Sequence, residues 1–173
     1  MRDVLTNPAP PGIDPNTARA EIDLAAFRAN IAALQVHVGS TEIMVVVKAD
    51  GYGHGMIPCA REARAAGAGW LGVATPAEAL ALRDAGDTGL VLAWLYGVAE
   101  DLSPLVAASV DVSAQSVDQV SRLVAAAATA ERRARVHLKA DTGLSRNGAG
   151  ADSWPEVCAA AAEAEEALSL IHI

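Results

Sequence analysis

The sequence predicts an α/β fold built from repeated strand–helix units, and three observations carry that reading. Short β-branched apolar runs alternate about five times with longer segments of helical period, joined by short connections, as parallel βαβ units require. Capping residues and glycines punctuate the helical segments at their two ends. Of the 173 residues 52% are hydrophobic but only 3% aromatic, so the core has to be made largely of Val, Leu and Ala. Right-handed crossovers then allow a closed barrel or an open doubly wound sheet, and periodicity does not choose between them.

Taken in order, residues 1–18 contain Pro8, Pro10, Pro11, Gly12 and Pro15 and read as a disordered leader, with residues 19–173 forming one domain. Residues 20–24 suggest a short strand. Asp23 is a plausible N-cap for a helix that puts Leu24, Phe27, Ile31 and Leu34 on one face. Residues 43–47 read as a strand buried on both faces. A helix is expected over 54–66, stopping at Gly67, and a strand over 70–73. Thr75, Pro76 and Glu78 form a capping-box signature for a helix ending near Gly86. A strand over 89–94, a weaker helix over 99–108 and a strand over 110–113 follow. Ser116 and Gln119 open a helix to about Ala130, and residues 135–140 make a fifth strand. Ser153 and Glu156 are expected to cap a last helix to about Ala167. Residues 168–173 read as the start of a sixth strand.

Net charge is −8 with a pI near 4.9, which argues against a nucleic-acid partner. No apolar run approaches the roughly 20 residues of a membrane span. The first residues lack an apolar signal core, so a cytoplasmic location is expected. Cys59 and Cys158 suggest neither a disulfide framework nor a metal site.

Two stretches carry chemistry. The first is Lys48-Ala-Asp-Gly-Tyr-Gly-His-Gly55, immediately after the apolar strand. A lysine at the end of a dry strand is costly to keep charged, and burial shifts it toward the free amine that condenses with a carbonyl. The bland alternative is a strand-end lysine snorkelling to solvent. The second stretch is Val136-His-Leu-Lys139-Ala-Asp141-Thr-Gly-Leu-Ser-Arg146-Asn-Gly148. Strand alternation sets His137, Lys139 and Asp141 on one face and Val136, Leu138 and Ala140 on the other. An arginine after a Thr-Gly turn at a strand mouth suits an anionic oxygen, although a solvated polar loop has the same pattern. Asp50 is best read as a loop cap before Gly51, and Asp50 and Asp141 could each orient a neighbouring lysine. His54 is a possible supporting residue, His37 reads as surface, and Glu163, Glu165 and Glu166 as a solvated helix face. Gly51, Gly53 and Gly55 do not have dinucleotide-fingerprint spacing.

Both stretches resemble alanine racemases, in the right order and each at a predicted strand end, and the resemblance runs from about Arg19 to about Glu166. It implies the N-terminal portion of a (β/α)8 TIM-type barrel, with about five βα units plus the start of a sixth. The remainder of the barrel and a C-terminal β domain are then absent, since a full barrel takes roughly 250 residues. The resemblance implies pyridoxal 5'-phosphate (PLP) as cofactor and L- and D-alanine as substrates, in the D-alanine supply for peptidoglycan. Lys48 would hold PLP as a Schiff base and act as a base, and Tyr52 would hydrogen-bond the cofactor phosphate. Arg146 would contact the cofactor's phenolic oxygen and the substrate carboxylate. Lys139 would be the lysine that family members often carry as a carbamate. A homodimer is implied for the full-length protein, whose second base, a partner tyrosine, would lie beyond residue 173. This chain alone is therefore expected to be an inactive, poorly folding fragment, and residues 168–173 do not match what the family would have there. Two other readings stand beside this one: a PLP-binding barrel protein of cofactor homeostasis without turnover, and an open-sheet domain binding another metabolite.

Overall fold

The computed structural model describes residues 20–167 and the backbone of 170–172. The leader predicted for residues 1–18 lies outside the described residues, as do Leu168, Ser169 and Ile173. The chain divides into two compact units, Met1–Leu71 and Gly72–Ile173.

In the first unit α1 (Leu24–Val38) starts where Asp23 caps it, the carboxylate accepting from the Ala26 amide at 3.0 Å. Leu24 and Ile31 are buried, while Leu34, expected on the same face, is exposed. Residues 20–23 are not a strand. An extended segment becomes one only when a neighbouring strand takes up its backbone groups. β1 (Met44–Val46) follows, and the Trp70 amide at the start of β2 (Trp70–Val73) donates to the Ile43 carbonyl. β1 is not buried on both faces: Val46 is 43% exposed, whereas the next residue, Val47, is buried. The helix expected over 54–66 is shorter. A turn, α2 (Lys48–Tyr52), comes first, then α3 (Met56–Ala65), with Gly67 at φ 90° behind it.

The second unit contains α4 (Pro76–Asp84), β3 (Leu90–Ala93), α5 (Ser103–Ala107), β4 (Asp111–Ala114), α6 (Val117–Thr129), β5 (Ala134–Leu138), α7 (Trp154–Glu166) and β6 (Leu170–His172). β3 to β6 lie side by side in chain order, and the pairs β3–β4, β4–β5 and β5–β6 are all parallel. Order without reversal is that of a barrel wall, whereas a doubly wound sheet reverses at its switch point. The core is aliphatic as the composition requires, with Val91, Leu105, Val112, Leu123 and Val136 buried between strands and helices. Each such side chain contributes roughly 1.5–3 kcal/mol.

Local chemistry fixes the ends. The capping box at α4 forms in full: the Glu78 amide donates to Thr75 Oγ1 at 3.3 Å, and Glu78 Oε2 accepts from the Thr75 amide at 3.0 Å. At α6 the Ser116 side chain accepts from the Gln119 amide at 3.2 Å, but Gln119 Oε1 reaches back to Gln115 rather than Ser116. The predicted cap at Ser153 does not form, because its hydroxyl donates to the Gly150 carbonyl and its backbone is already helical. α5 is half the expected length. Asp101 Oδ1 accepts from Ser103, and Arg122 takes the Gly97 and Glu100 carbonyls, so residues 99–102 are held as a loop.

An arginine device recurs three residues before a glycine with positive φ. In the first unit Arg64 Nη1 donates to the Ala68 and Gly69 carbonyls ahead of β2. In the second, Arg83 donates to the Asp87 and Gly89 carbonyls ahead of β3, to Asp87 Oδ1, and to the Ala108 and Ser109 carbonyls. The Arg83 side chain is only 14% exposed, so Arg83→Leu strands several acceptors at once. The expected loss is roughly 2–4 kcal/mol of folding free energy. It is measured as a lower urea midpoint at unchanged slope.

Candidate functional site

The first stretch forms a turn of unusual hand. Ala49, Asp50, Gly51, Tyr52 and Gly53 have φ of 53°, 52°, 60°, 57° and 85°, so five successive residues lie in the left-handed region. Three of them carry a Cβ, and each such residue costs about 1–2 kcal/mol there. Main-chain bonds hold the turn: the Gly51 amide donates to the Val47 carbonyl at 2.9 Å, and the Gly53 and Gly55 amides donate to the Asp50 carbonyl. Its result is that Lys48 and Tyr52 share one side, with Nζ 4.4 Å from the Tyr52 ring centroid in a cation–π contact. Lys48 is half-buried and Tyr52 is 67% exposed, so the amine is reachable from solvent beside an open phenol. The premise of a dry strand end therefore fails. Turn geometry, rather than a buried strand, fixes the amine.

Asp50 does cap, as its position before Gly51 suggests, and its target is the Met56 amide at 2.7 Å. Cys59 sits under the turn, with Sγ 3.6 Å from where a Cβ on Gly51 would lie and 3.9 Å from the His54 carbonyl. Burial, with Asp50 adding to it, pushes the Cys59 thiol above its usual range. It is a buried packing residue.

The second stretch is an excursion from the end of β5, closed at its neck by main-chain bonds. The Ala149 amide donates to the Lys139 carbonyl at 2.7 Å, and the Asp141 amide donates to the Ala149 carbonyl at 2.8 Å. Ala140, expected to join the buried set of the strand, is exposed because it lies in this neck. Gly148 stands at φ 111°, and a Cβ there would meet Asp141 N at 2.5 Å and the Ala140 carbonyl carbon at 2.6 Å. No side chain fits. The Gly148 amide also donates to Gln115 Oε1, which ties the loop to the end of β4. Arg146 is exposed on this loop. Burial, then the Arg146 guanidinium, pushes the Lys139 ammonium below its usual range.

Asp141 is engaged within its own loop. Its Oδ1 accepts from the Gly143 amide at 2.9 Å and the Ser145 amide at 3.0 Å, and these bonds hold its carboxyl below the ordinary range. Sequence reasoning missed its counterpart on the strand. Asp111, fully buried, accepts from Arg135 Nε at 2.7 Å and pairs with His137 Nε2 at 2.9 Å. The alternation of Arg135 with His137 was visible, but the cross-strand acid was not. Among the described residues no His, Cys, Asp and Glu group could hold a metal ion.

Two outcomes follow from the loop. Gly148→Ala should open its neck, read as faster hydrogen exchange at the Asp141 and Ala149 amides. For Asp141 the folded pKa lies below the unfolded one. Its contribution is therefore complete above the ordinary carboxylate range and is lost as pH falls through the depressed value. The Gly143 and Ser145 amide signals are expected to titrate together in that acid window.

A family model described as alanine racemase, N-terminal domain, matches residues 22–173. An alanine racemase of Frankia casuarinae is 51% identical over 156 residues, which is 89% of this chain and 41% of that protein. One from Mycolicibacterium smegmatis is 51% identical over 152 residues, 88% of this chain and 39% of that protein. Among solved structures, the alanine racemase of D-cycloserine-producing Streptomyces lavendulae matches with a TM-score of 0.83 at 44% identity, covering 85% of this chain and 38% of that one. The alanine racemase of Streptomyces coelicolor A3(2) gives 0.82 at 47% identity, with 85% and 40% covered. The chain spans about 40% of the length of these relatives. It belongs to the alanine racemase family, and its described residues make up part of the barrel wall of that family's N-terminal domain.

Proposed function

We propose that this chain is the cofactor-holding part of an alanine racemase, interconverting L- and D-alanine with PLP. The observation that carries the reading is the left-handed turn, which sets a reachable amine and an exposed phenol side by side after a strand. The donor set fits PLP, whose aldehyde takes an amine and whose phosphate and phenolic oxygen take hydrogen-bond donors. When bound, PLP supplies the electron withdrawal that makes the Cα proton of an amino acid removable.

The rest is the work of side chains. Lys48, as the free amine, is the group that binds the aldehyde, and once released it can take or return a proton at Cα. Tyr52 donates its hydroxyl to the phosphate. Arg146 offers a planar fork to the phenolic oxygen and to a substrate carboxylate. Lys139 is held toward the free amine, the form that reacts with carbon dioxide. As a carbamate it would turn from a competitor of Arg146 into a charge partner. Racemisation needs a base on each face of the carbanion, and the second is assigned to another part of the longer enzyme. Turnover, the homodimer, the cytoplasmic setting and the D-alanine supply for peptidoglycan belong to that whole protein. The 173 residues alone are proposed to be inactive. No helix among the described residues is long and apolar enough to cross a membrane.

The sequence holds two lysines, Lys48 and Lys139, so labelling is easy to read. PLP added to the chain, followed by borohydride reduction and peptide mapping, is expected to mark Lys48. An unmarked Lys48 at excess PLP would sink the reading.

A further inference from the structure

Five consecutive left-handed residues persist only where their surroundings over-determine them. Main-chain bonds close the turn and tie it back to the buried Val47 just after β1, through the Gly51 amide. α3 has a deficiency of its own. Its N-cap position is Gly55, which has no side chain to satisfy the free amides of the first helical turn. One bond from the turn answers it. Asp50 Oδ1, six residues upstream, accepts from the amide of Met56, the first residue of α3, at 2.7 Å. The Asp50 carbonyl meanwhile accepts from Gly53 and Gly55 at 3.1 and 2.9 Å. The same residue thus grips the helix with its side chain and closes the turn with its backbone.

We propose that Asp50 is a positioning residue for Lys48, acting as a hydrogen-bond acceptor and not as a charge. By serving as a remote N-cap of α3 it fixes the left-handed turn, and through it the place of Lys48 over Tyr52. The inference rests on the cofactor reading only for its consequence in PLP attachment; the geometric claim stands apart from it.

Asp50→Asn keeps the Oδ1 acceptor and removes the charge, whereas Asp50→Ala removes both. In chain labelled with [13C]lysine, two side-chain signals report Lys48 and Lys139. The Lys48 ε-methylene is expected upfield, shifted by the ring current of Tyr52. Asp50→Asn should retain that shift. Asp50→Ala should send the Lys48 signal to its coil position while the Lys139 signal stays, which separates local release from unfolding. If Asp50→Ala unfolds the chain and moves both signals, Asp50→Asn decides alone. An upfield signal in Asp50→Ala, or its loss in Asp50→Asn, overturns the proposal. With PLP and borohydride, Asp50→Ala should label Lys48 roughly tenfold more slowly and Asp50→Asn within about twofold of the parent. Failure of the parent chain to label sinks the cofactor reading, while the ring-current comparison still judges Asp50.

Discussion

A chain of L-residues resists the left-handed region, and the first unit enters it five times in succession from Ala49 to Gly53. Much of what is particular about that unit follows from this. β1 stops at Val46 because the backbone then turns the other way, and α3 starts only at Met56 because the turn must be closed first. A right-handed continuation would carry the side chain four residues on to a neighbouring position along the helix axis. The left-handed turn instead brings Tyr52 back beneath the amine of Lys48. Such strain persists only where the surroundings hold it in place.

The second unit solves a like problem by other means. Its chemical loop is not strained along its length but is stapled at the neck by two main-chain bonds and by a glycine against which the backbone packs. In both units the irregular backbone that bears the proposed residues lies after the C-terminal end of a strand, the end at which barrel enzymes gather their reactive groups. The connections from helix to next strand are treated differently. There Arg64 and Arg83 bind carbonyls inward, and neither is aimed at a ligand. Charge at that end is spent on holding loops, and charge at the other end is left reachable.

How far the sequence could be read follows from how local each cause is. The capping box of Thr75 and Glu78 and the cap at Asp23 were legible because the partners lie within three residues. The order of the strands was legible because alternation and short connections leave few choices. Lys48, Tyr52, Lys139 and Arg146 stand out through resemblance to the family, and their roles belong to the proposal. What was not legible depends on the third dimension. Nothing in Ala49 announces a positive φ, and a glycine-rich stretch gives only permission for a tight turn. Ser153 has the right residue type for a cap, but its hydroxyl is taken by Gly150, which no spacing rule foretells. Asp111 reads as an ordinary strand-start acid until β5 is laid beside β4 and sets Arg135 and His137 within reach of it.

The charges of the second unit also show why a reachable cation pair persists there. Asp111 is consumed by Arg135 and His137, and the bonding oxygen of Asp141 by two amides of its own loop. Asp111 and that oxygen of Asp141 are thus committed elsewhere. Burial and Arg146 together then press on its ammonium. Such an arrangement is relieved by losing the proton from Lys139 or by admitting an anion between the two cations. Loss of the proton relieves it with no partner, whereas an anion relieves it by adding opposite charge.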